Sequence, residues 1–285
     1  MNTFPDGYRR PHPTGGKAIR LSRIADPVTM RAQIVPMDHS VTVGPLGPTH
    51  HTERMVRLLA DSGCDAVVLH RGRAQQVSST AFATMGLIVH LSASTSLGPD
   101  QDAKVLVGDV DAALRIGADA VSVHVNVGSA TETRQLQDFA AVSRECDALG
   151  VPLLAMMYAR GPALPAQPAG TTLAHLAAIA TDLGADMVKL DYAGSAEVMR
   201  AVVDSTPAPI YVAGGPGRTD DEAIEFGAEV LTSGVAGLSF GRNIFDAADP
   251  FRVASSLADL VHRRAGTTAM ARAGAPADVA ALESA

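Results

Sequence analysis

The chain has 285 residues, a net charge of −7 and a hydrophobic content of 47%. This length is compatible with one domain, because single α/β domains commonly reach roughly 200–250 residues. The acidic balance argues against nucleic acid or an anionic membrane surface as the main partner. Aromatic residues make up only 4% of the chain and Trp is absent, so we expect an aliphatic core.

Cysteine usage and the N-terminus both bear on cellular location. Two cysteines, Cys64 and Cys146, provide no disulfide framework and indicate a reducing compartment. Residues 1–20 are polar and rich in Pro and Gly, without the apolar stretch of a secretion signal. No segment is long and apolar enough to span a bilayer. We therefore predict a cytoplasmic protein.

Eight short apolar segments read as strands that alternate with helices. Four predicted strands lie at 34–37, 86–91, 151–157 and 210–213, and four more lie within the segments 63–69, 117–123, 184–190 and 234–240. Residues 1–30 are predicted to form an N-terminal extension, residues 31–264 one barrel domain, and residues 265–285 an Ala-rich tail.

A repeated phrase, Gly-x-Asp followed by a Val-rich run, supports this alternation. It occurs at 63–69, 117–123 and 184–190, and more loosely at 234–240. Each copy follows a helix-like stretch, so the Gly predicts a left-handed helix end and the run predicts a strand covered on both faces. Eight such units predict a (β/α)8 TIM barrel, with a doubly wound sheet as the alternative.

Polar residues follow the predicted strands, whose starts are apolar. In TIM barrels the carboxyl ends of the strands carry the chemistry. The candidate site residues at these ends are Asp38, His39, Ser40, His70, His124, Asn126, Tyr158, Arg160, Lys189, Asp191, Gly214, Gly215, Gly241 and Arg242.

Lys189 is the strongest single candidate among them. Only three of the 23 basic residues are lysines, namely Lys17, Lys104 and Lys189. Arg cannot act as an amine nucleophile, whereas a buried Lys can attack a carbonyl and form a Schiff base. The alternative is a core lysine that extends its amine to the surface or pairs with Asp191.

The last two strand ends predict a phosphate site. Gly214-Gly215 and Gly241-Arg242 occupy the usual phosphate position of these barrels, where glycine backbone N–H groups and a forked guanidinium meet the oxygens. The alternative is a pair of tight turns with a surface arginine.

Histidines at four strand ends raise the possibility of zinc. They are His39, His70, His90 and His124. Their spacing lacks the paired pattern of a metal motif, so we predict neither a metal nor another cofactor.

Six segments resemble the archaeal-type class I aldolases, and among these the 2-amino-3,7-dideoxy-D-threo-hept-6-ulosonate synthases most. They are VPMDH at 35–39, HVNVGS at 124–129, AMMY at 155–158, VK at 188–189, VAGGP at 212–216 and GRNIF at 241–245. The resemblance spans residues 17–264 and implies a Schiff-base barrel that forms a homo-oligomer. It implies Lys189 as the Schiff-base lysine, Tyr158 as proton donor or acceptor and Asp38 as an acid or base.

The chain departs from the family pattern at Ser40, Arg71 and Asp191. Asp191 places a carboxylate two positions beyond Lys189, where it could hold a substrate amino group or stabilise the protonated lysine. We therefore predict an aldol synthase that joins a ketose phosphate or dihydroxyacetone phosphate to aspartate semialdehyde. Cleavage of fructose bisphosphate or a related sugar phosphate is one alternative, and a non-catalytic sugar-phosphate sensor is another.

Overall fold

Eight parallel strands close into a barrel in the computed structural model, which describes residues 15–48, 50–162, 164, 165 and 168–262. The strands are β1 (Ala32–Pro36), β2 (Ala66–Leu69), β3 (Gly86–His90), β4 (Ala120–Val127), β5 (Leu153–Ala159), β6 (Met187–Leu190), β7 (Ile210–Ala213) and β8 (Gly237–Ser239). Each strand pairs with the next along the chain, and β8 pairs with β1. The predicted TIM barrel is confirmed. The doubly wound alternative is wrong, because an open sheet would leave two unpaired edges.

Helices lie between successive strands and cover the outside of the barrel. They are α1 (Gly16–Leu21), α2 (Ser40–Val43), α3 (His51–Asp61), α4 (Arg71–Ala74), α5 (Val110–Arg115), α6 (Glu132–Leu149), α7 (Gly170–Asp182), α8 (Ala196–Asp204), α9 (Asp220–Leu231), α10 (Arg242–Phe245) and α11 (Pro250–His262). A 3-10 turn covers Ser79–Phe82. Between β3 and β4, Ser92–Ala93 pairs antiparallel with Val105–Leu106 to form a short ribbon.

Side chains alternate between two apolar layers along each strand. Ile34, Ile88 and Leu154 fill the barrel interior, whereas Val35 and Leu87 pack outward against the helices. Both faces of every strand are thus covered, which explains the near-continuous Val, Ile and Leu runs that the sequence shows.

Two strands, β4 and β5, extend beyond their predicted carboxyl ends. The β4 ladder with β5 continues through the Asn126–Tyr158 and Val127–Ala159 pairs. His124 and Asn126 therefore lie within a strand and not after it, and the same holds for Tyr158. A ladder ends where pairing with its neighbours ends, which local composition does not specify.

The glycine of each repeated phrase ends a helix in the left-handed conformation, as predicted. The φ angles are 82°, 89°, 92° and 87° at Gly63, Gly117, Gly184 and Gly234. Only glycine reaches this region without steric cost, so these four positions set where a helix stops and the next strand begins.

The aspartate of the repeated phrase ties neighbouring strands together at the amino end of the barrel. Asp65, Asp119 and Asp186 each precede a strand, and each accepts a backbone N–H from the preceding strand at 2.7, 3.0 and 2.9 Å. The donors are the N–H groups of Gln33, Leu87 and Leu153. The repeat therefore encodes a strand-to-strand bond as well as a turn.

Each of these aspartates also pairs with a cationic or ionisable side chain from a segment that closes the amino end. Arg23 contacts Asp119, His262 contacts Asp65, and Lys17 contacts Asp186. Residues 15–30, within the predicted N-terminal extension, contribute buried Leu21 and Ile24 to the interior layer of the barrel. Residues 1–14 and the predicted tail at 265–285 lie outside the described residues, and the domain boundaries remain predictions.

Two further sequence predictions concern location. Cys64 and Cys146 are buried free thiols, and burial raises the pKa of each to about 12. Every helix in the described part of the chain is too short or too polar to span a membrane. The cytoplasmic location itself remains a prediction.

The Lys17 contacts predict a test of how the amino end is held. Lys17 Nζ lies 2.9 Å from Asp186 and 2.6 Å from Asp147, and its side chain is 14% exposed. Lys17→Met leaves a mostly buried carboxylate unpaired, so we expect the free energy of unfolding to fall by about 3 kcal/mol.

Urea denaturation measures this loss. Arg115→Ala is the control, because Arg115 pairs with Asp111 on an exposed helix turn. Such a pair contributes about 0.3–0.5 kcal/mol. Equal losses in the two variants would contradict a specific role of Lys17.

Candidate active site

A cavity of about 540 Å³ opens at the carboxyl ends of the barrel strands. Twelve of the predicted site residues line it: Asp38, His39, His70, His124, Tyr158, Arg160, Lys189, Asp191, Gly214, Gly215, Gly241 and Arg242. Ser40 and Asn126 are not among its lining residues. Ser40 begins α2, and Asn126 is fully buried.

Lys189 reaches the cavity from the middle of an apolar ladder. It lies on β6 between Met156 of β5 and Tyr211 of β7, and it is 5% exposed. Among the described residues it forms no hydrogen bond or ion pair, so the alternative pairing with Asp191 is not present. A primary amine with no partner at the mouth of a barrel is placed to attack a carbonyl carbon.

Tyr158 lies on the strand next to Lys189 and stacks against a histidine. Its ring centroid is 4.7 Å from that of His124, with an angle of 30° between the rings. Burial raises the pKa of the Tyr158 phenol, so the hydroxyl keeps its proton at neutral pH. It can therefore donate that proton to a developing negative charge.

Asn126 holds His124 in one orientation. The Asn126 amide donates to the carbonyl of Asp102 at 2.9 Å, so its oxygen is the group 2.8 Å from His124 Nε2. His124 must then carry its proton on Nε2, which leaves Nδ1 as an acceptor. Burial keeps the pKa of His124 well below 6.5. The predicted substrate contact of Asn126 is replaced by this positioning contact.

Asp38 follows β1 and is surrounded by histidines. Its carboxylate oxygens lie 3.6 Å from His90 Nε2 and 3.7 Å from His39 Nδ1. Burial opposes ionisation, but it is outweighed by Lys189 and by His90 and His39, which become protonated at the low pH where Asp38 would bind a proton. The pKa of Asp38 therefore lies below its usual range. The carboxylate is therefore available as a base.

The histidines around Asp38 are neutral at physiological pH. Burial lowers the pKa of His90 to about 4, and it also lowers the pKa values of His39 and His70. His90 Nδ1 lies 2.8 Å from the Ser122 hydroxyl. Among the described residues no group of three or more His, Cys, Asp or Glu side chains could hold a metal ion. Metal independence remains a prediction.

The two glycine segments meet at the β7–β8 side of the cavity. Asn243 joins them, because its amide donates to the Gly214 carbonyl at 2.8 Å. Arg242 donates to the Gly215 carbonyl at 3.3 Å. Because α10 begins at Arg242, its first backbone N–H groups have no partner within the helix.

Packing and backbone conformation require glycine in these segments. A Cβ at Gly241 would lie 2.6 Å from the Pro36 carbonyl oxygen, and one at Gly214 would lie 2.9 Å from Asn243 Nδ2. Gly215 has a φ of 68°. Packing therefore requires glycine at positions 214 and 241, and the left-handed backbone favours it at position 215.

The sequence interpretation missed Ser92, Lys104, Met156 and Asn243 as cavity residues, and it assigned His90 no role other than the rejected metal site. Lys104 carried one signal, as one of only three lysines in an arginine-rich chain. Lys104 lies between β3 and β4, outside any apolar strand pattern in the sequence. Only the folded ribbon shows that it lines the cavity.

The low pKa of His90 predicts acid instability. In the unfolded chain this histidine binds a proton below about pH 6.5, but in the folded protein only below about 4. Between these values the unfolded state binds more protons, so the free energy of unfolding falls as the pH falls. The stabilisation from Asp38 is lost only below its ordinary pKa of 3.8, outside this window.

His90→Asn should flatten this dependence by up to about 1.4 kcal/mol per pH unit. Urea denaturation at several pH values between about 4.5 and 7 measures the slopes. Parallel profiles for the variant and the wild type would show that His90 is not buried in its neutral form.

A closed (β/α)8 barrel with an unpaired lysine, a buried tyrosine and a carboxylate at its mouth defines a class of enzymes that act on carbonyl carbons through an amine. Residues 32–247 match the model of the DeoC/LacD family of aldolases, and the chain belongs to that family. The predicted resemblance to class I aldolases is confirmed.

Two curated relatives cover nearly the whole chain. A 2-amino-4,5-dihydroxy-6-oxo-7-(phosphonooxy)heptanoate synthase of Streptomyces griseus is 46% identical over 270 residues, which cover 94% of this chain and 97% of the relative. A 2-amino-3,7-dideoxy-D-threo-hept-6-ulosonate synthase of Halobacterium salinarum is 41% identical over 264 residues, which cover 92% and 98%.

Solved aldolase structures share the fold. A Schiff-base-forming fructose-1,6-bisphosphate aldolase superposes with a TM-score of 0.79 at 28% identity, over 86% of this chain and 100% of its own. An archaeal fructose-1,6-bisphosphate aldolase, whose catalytic lysine is covalently bound to the carbinolamine intermediate of its substrate, has a TM-score of 0.78 at 28% identity, over 86% and 99%.

Proposed function

We propose that this protein is a class I aldol synthase that joins dihydroxyacetone phosphate, held as an imine on Lys189, to aspartate semialdehyde. The observation that carries the proposal is the buried Lys189 amine, unpaired among the described residues, in one cavity with a protonated phenol and an ionised carboxylate. The same cavity holds Gly214-Gly215 and Gly241-Arg242, which together we call the glycine cradle. These groups are what imine formation, proton transfer and phosphate binding need.

The product named for the Streptomyces griseus relative supports the choice of substrates. That product carries an amino acid at one end and, at the other, a phosphorylated carbon next to a ketone. An aldol reaction forms the bond between the carbon next to the ketone and the neighbouring hydroxyl-bearing carbon. Division at that bond yields dihydroxyacetone phosphate and aspartate semialdehyde.

The chain's own residues then perform the steps in order. The neutral amine of Lys189 attacks the ketone to form a carbinolamine, which loses water to form an iminium ion. Loss of a proton from the adjacent hydroxymethyl carbon yields an enamine, which attacks the aldehyde carbon. Water then releases the product and regenerates the amine. Tyr158 supplies protons to departing and developing oxyanions, and Asp38 accepts the carbon-bound proton.

The two alternatives use the same cavity in different ways. Fructose-bisphosphate cleavage draws support from the fructose-1,6-bisphosphate aldolases that share the fold at 28% identity. A sugar-phosphate sensor would need no nucleophile, so the presence of Lys189, Tyr158 and Asp38 in one cavity weighs against it. We also propose a homo-oligomer, as the resemblance to the class I aldolases implies.

The imine predicts a covalent test. Borohydride added with dihydroxyacetone phosphate should increase the mass of the protein irreversibly, and peptide mapping should locate the adduct on Lys189. Lys189→Arg should abolish both adduct and turnover, because guanidinium keeps the charge but is not a nucleophile. Turnover retained in this variant would contradict the mechanism.

The same assay addresses the metal. Activity should survive EDTA, because the iminium ion withdraws electrons in place of a Lewis acid. Loss of activity in EDTA that zinc restores would favour chemistry at the histidines.

The glycine cradle predicts a separate effect on binding. Arg242→Ala should weaken binding of dihydroxyacetone phosphate about 10- to 100-fold, the usual contribution of a charge-assisted phosphate contact. Its effect on unphosphorylated dihydroxyacetone should be small. Steady-state kinetics with both ketones measures the difference, and equal losses on both would show that Arg242 does not contact phosphate.

A further inference from the structure

The order of groups around the barrel sets the direction of a bound substrate. The glycine cradle follows β7 and β8, Lys189 lies on β6, Tyr158 on β5 and His124 on β4. Dihydroxyacetone phosphate with its phosphate in the cradle and its ketone at Lys189 directs its reacting carbon toward β5. This placement leaves the part of the cavity between the carboxyl ends of β6 and β3 for the incoming aldehyde.

Lys104 provides a fixed cation on that side. It lies just before the ribbon strand Val105–Leu106, which folds back on Ser92–Ala93 after β3. Its Nζ donates to the Ser94 hydroxyl at 2.6 Å, which leaves other ammonium protons for a ligand. Lys104 lines the same cavity as Lys189.

Buried groups hold the Lys104 segment in place. The carbonyl of Asp102 accepts hydrogen bonds from Asn126 at 2.9 Å and from Gln135 at 2.8 Å, and it accepts the backbone N–H of Lys104 at 3.0 Å. Asn126 and Gln135 are both buried. The Asn126 side chain therefore has two roles: its oxygen orients His124, and its amide nitrogen holds the segment that carries Lys104.

Arg160 lies on the same side of the cavity, next to Tyr158. Its guanidinium carbon is 5.0 Å from the centre of the Tyr158 ring, and its Nη1 lies 3.9 Å from Asp102. With Lys104 it forms a second cationic group, separate from Arg242 and the glycine cradle. A cavity with cations at both ends suits a substrate that is anionic at both ends.

Asp191 is the anionic residue that distinguishes this second group from a plain phosphate site. It directly follows β6, lines the cavity and is half-buried. Its carboxylate, which interacts electrostatically with Arg160, would repel a second phosphate, whereas it would attract an ammonium group.

We propose that Lys104, Arg160 and Asp191 form a subsite for the α-amino-acid head of the aldehyde. Lys104 and Arg160 bind its carboxylate, and Asp191 binds its ammonium. The inference rests on the proposed aldol synthase function and adds the groups that select the aldehyde. Lys104 and Asp191 are here specificity residues, distinct from the catalytic Lys189.

Three aldehydes of equal reach separate these contacts. Aspartate semialdehyde carries both charged groups, succinic semialdehyde lacks the amine, and 3-aminopropanal lacks the carboxylate. The kcat/KM for each is measured at saturating dihydroxyacetone phosphate, or its inhibition constant against aspartate semialdehyde where it is not turned over. Lys104→Met should lose about 10- to 100-fold on the two carboxylated aldehydes and little on 3-aminopropanal.

Asp191→Asn should show the complementary pattern. It should lose on aspartate semialdehyde and 3-aminopropanal and leave succinic semialdehyde nearly unchanged. Lys104→Arg should recover part of the loss of Lys104→Met, because it restores the charge. Arg134→Ala, which removes an exposed cation that pairs with Asp138 on α6, is the remote control and should match the wild type for all three aldehydes.

Borohydride trapping with dihydroxyacetone phosphate distinguishes the two levels of the proposal. No adduct on Lys189 in the wild type would overturn the proposed function itself. The subsite alone would be overturned if every variant forms the adduct but Lys104→Met lowers kcat/KM equally for all three aldehydes. It would also be overturned if Lys104→Met lowers kcat/KM for none of them. A wild type that forms the adduct but prefers glyceraldehyde 3-phosphate to aspartate semialdehyde would also overturn it and assign Lys104 to a second phosphate.

Discussion

Closure of a parallel ladder is the constraint on which the rest of this structure depends. Because β8 pairs with β1, each of the eight barrel strands is paired on both sides. The carboxyl ends of all eight strands therefore point to the same mouth of the barrel. Residues that lie as far apart in the chain as Asp38 and Arg242 thereby line one cavity of about 540 Å³. Parallel strands covered on both faces need aliphatic side chains, which the composition supplies. The polar groups that this packing excludes from the layers collect at the two open ends.

In the described part of the chain, charged side chains are paired at the amino end of the barrel, whereas a lysine at the carboxyl end is not. At the amino end, Asp65, Asp119 and Asp186 accept neighbouring backbone N–H groups, and the positive charges of Lys17 and Arg23 compensate two of them. Nearly every charge there has a partner, which suits a structural role. At the carboxyl end Lys189 has no partner among the described residues. That amine is the group that we propose attacks the carbonyl carbon of the substrate.

Burial controls protonation throughout the mouth. It keeps Tyr158 protonated and His90 neutral, while Asp38 stays ionised because its pKa lies below its usual range. One phenol that holds its proton and one carboxylate that has lost its own form an acid and a base in the same cavity. Burial of neutral His90 also lowers the free energy of unfolding as the pH falls. The protonation states of the site and the acid sensitivity of the fold therefore have the same physical cause.

The sequence by itself determined the barrel, its repeat and the lysine within an apolar strand. The Gly-x-Asp phrase predicts helix ends because only glycine adopts the left-handed conformation freely, and a lysine within an apolar run is chemically distinctive in any fold. The tertiary structure alone decided which polar groups bond to other protein groups and which face the cavity. Asn126 follows the alternation of an inward residue, yet it bonds to His124 and to the Asp102 carbonyl and leaves the cavity lining. Lys104 enters the cavity only because a ribbon folds back after β3. Local composition encodes which residues are polar, but contacts between distant segments determine which of them remain free for a substrate.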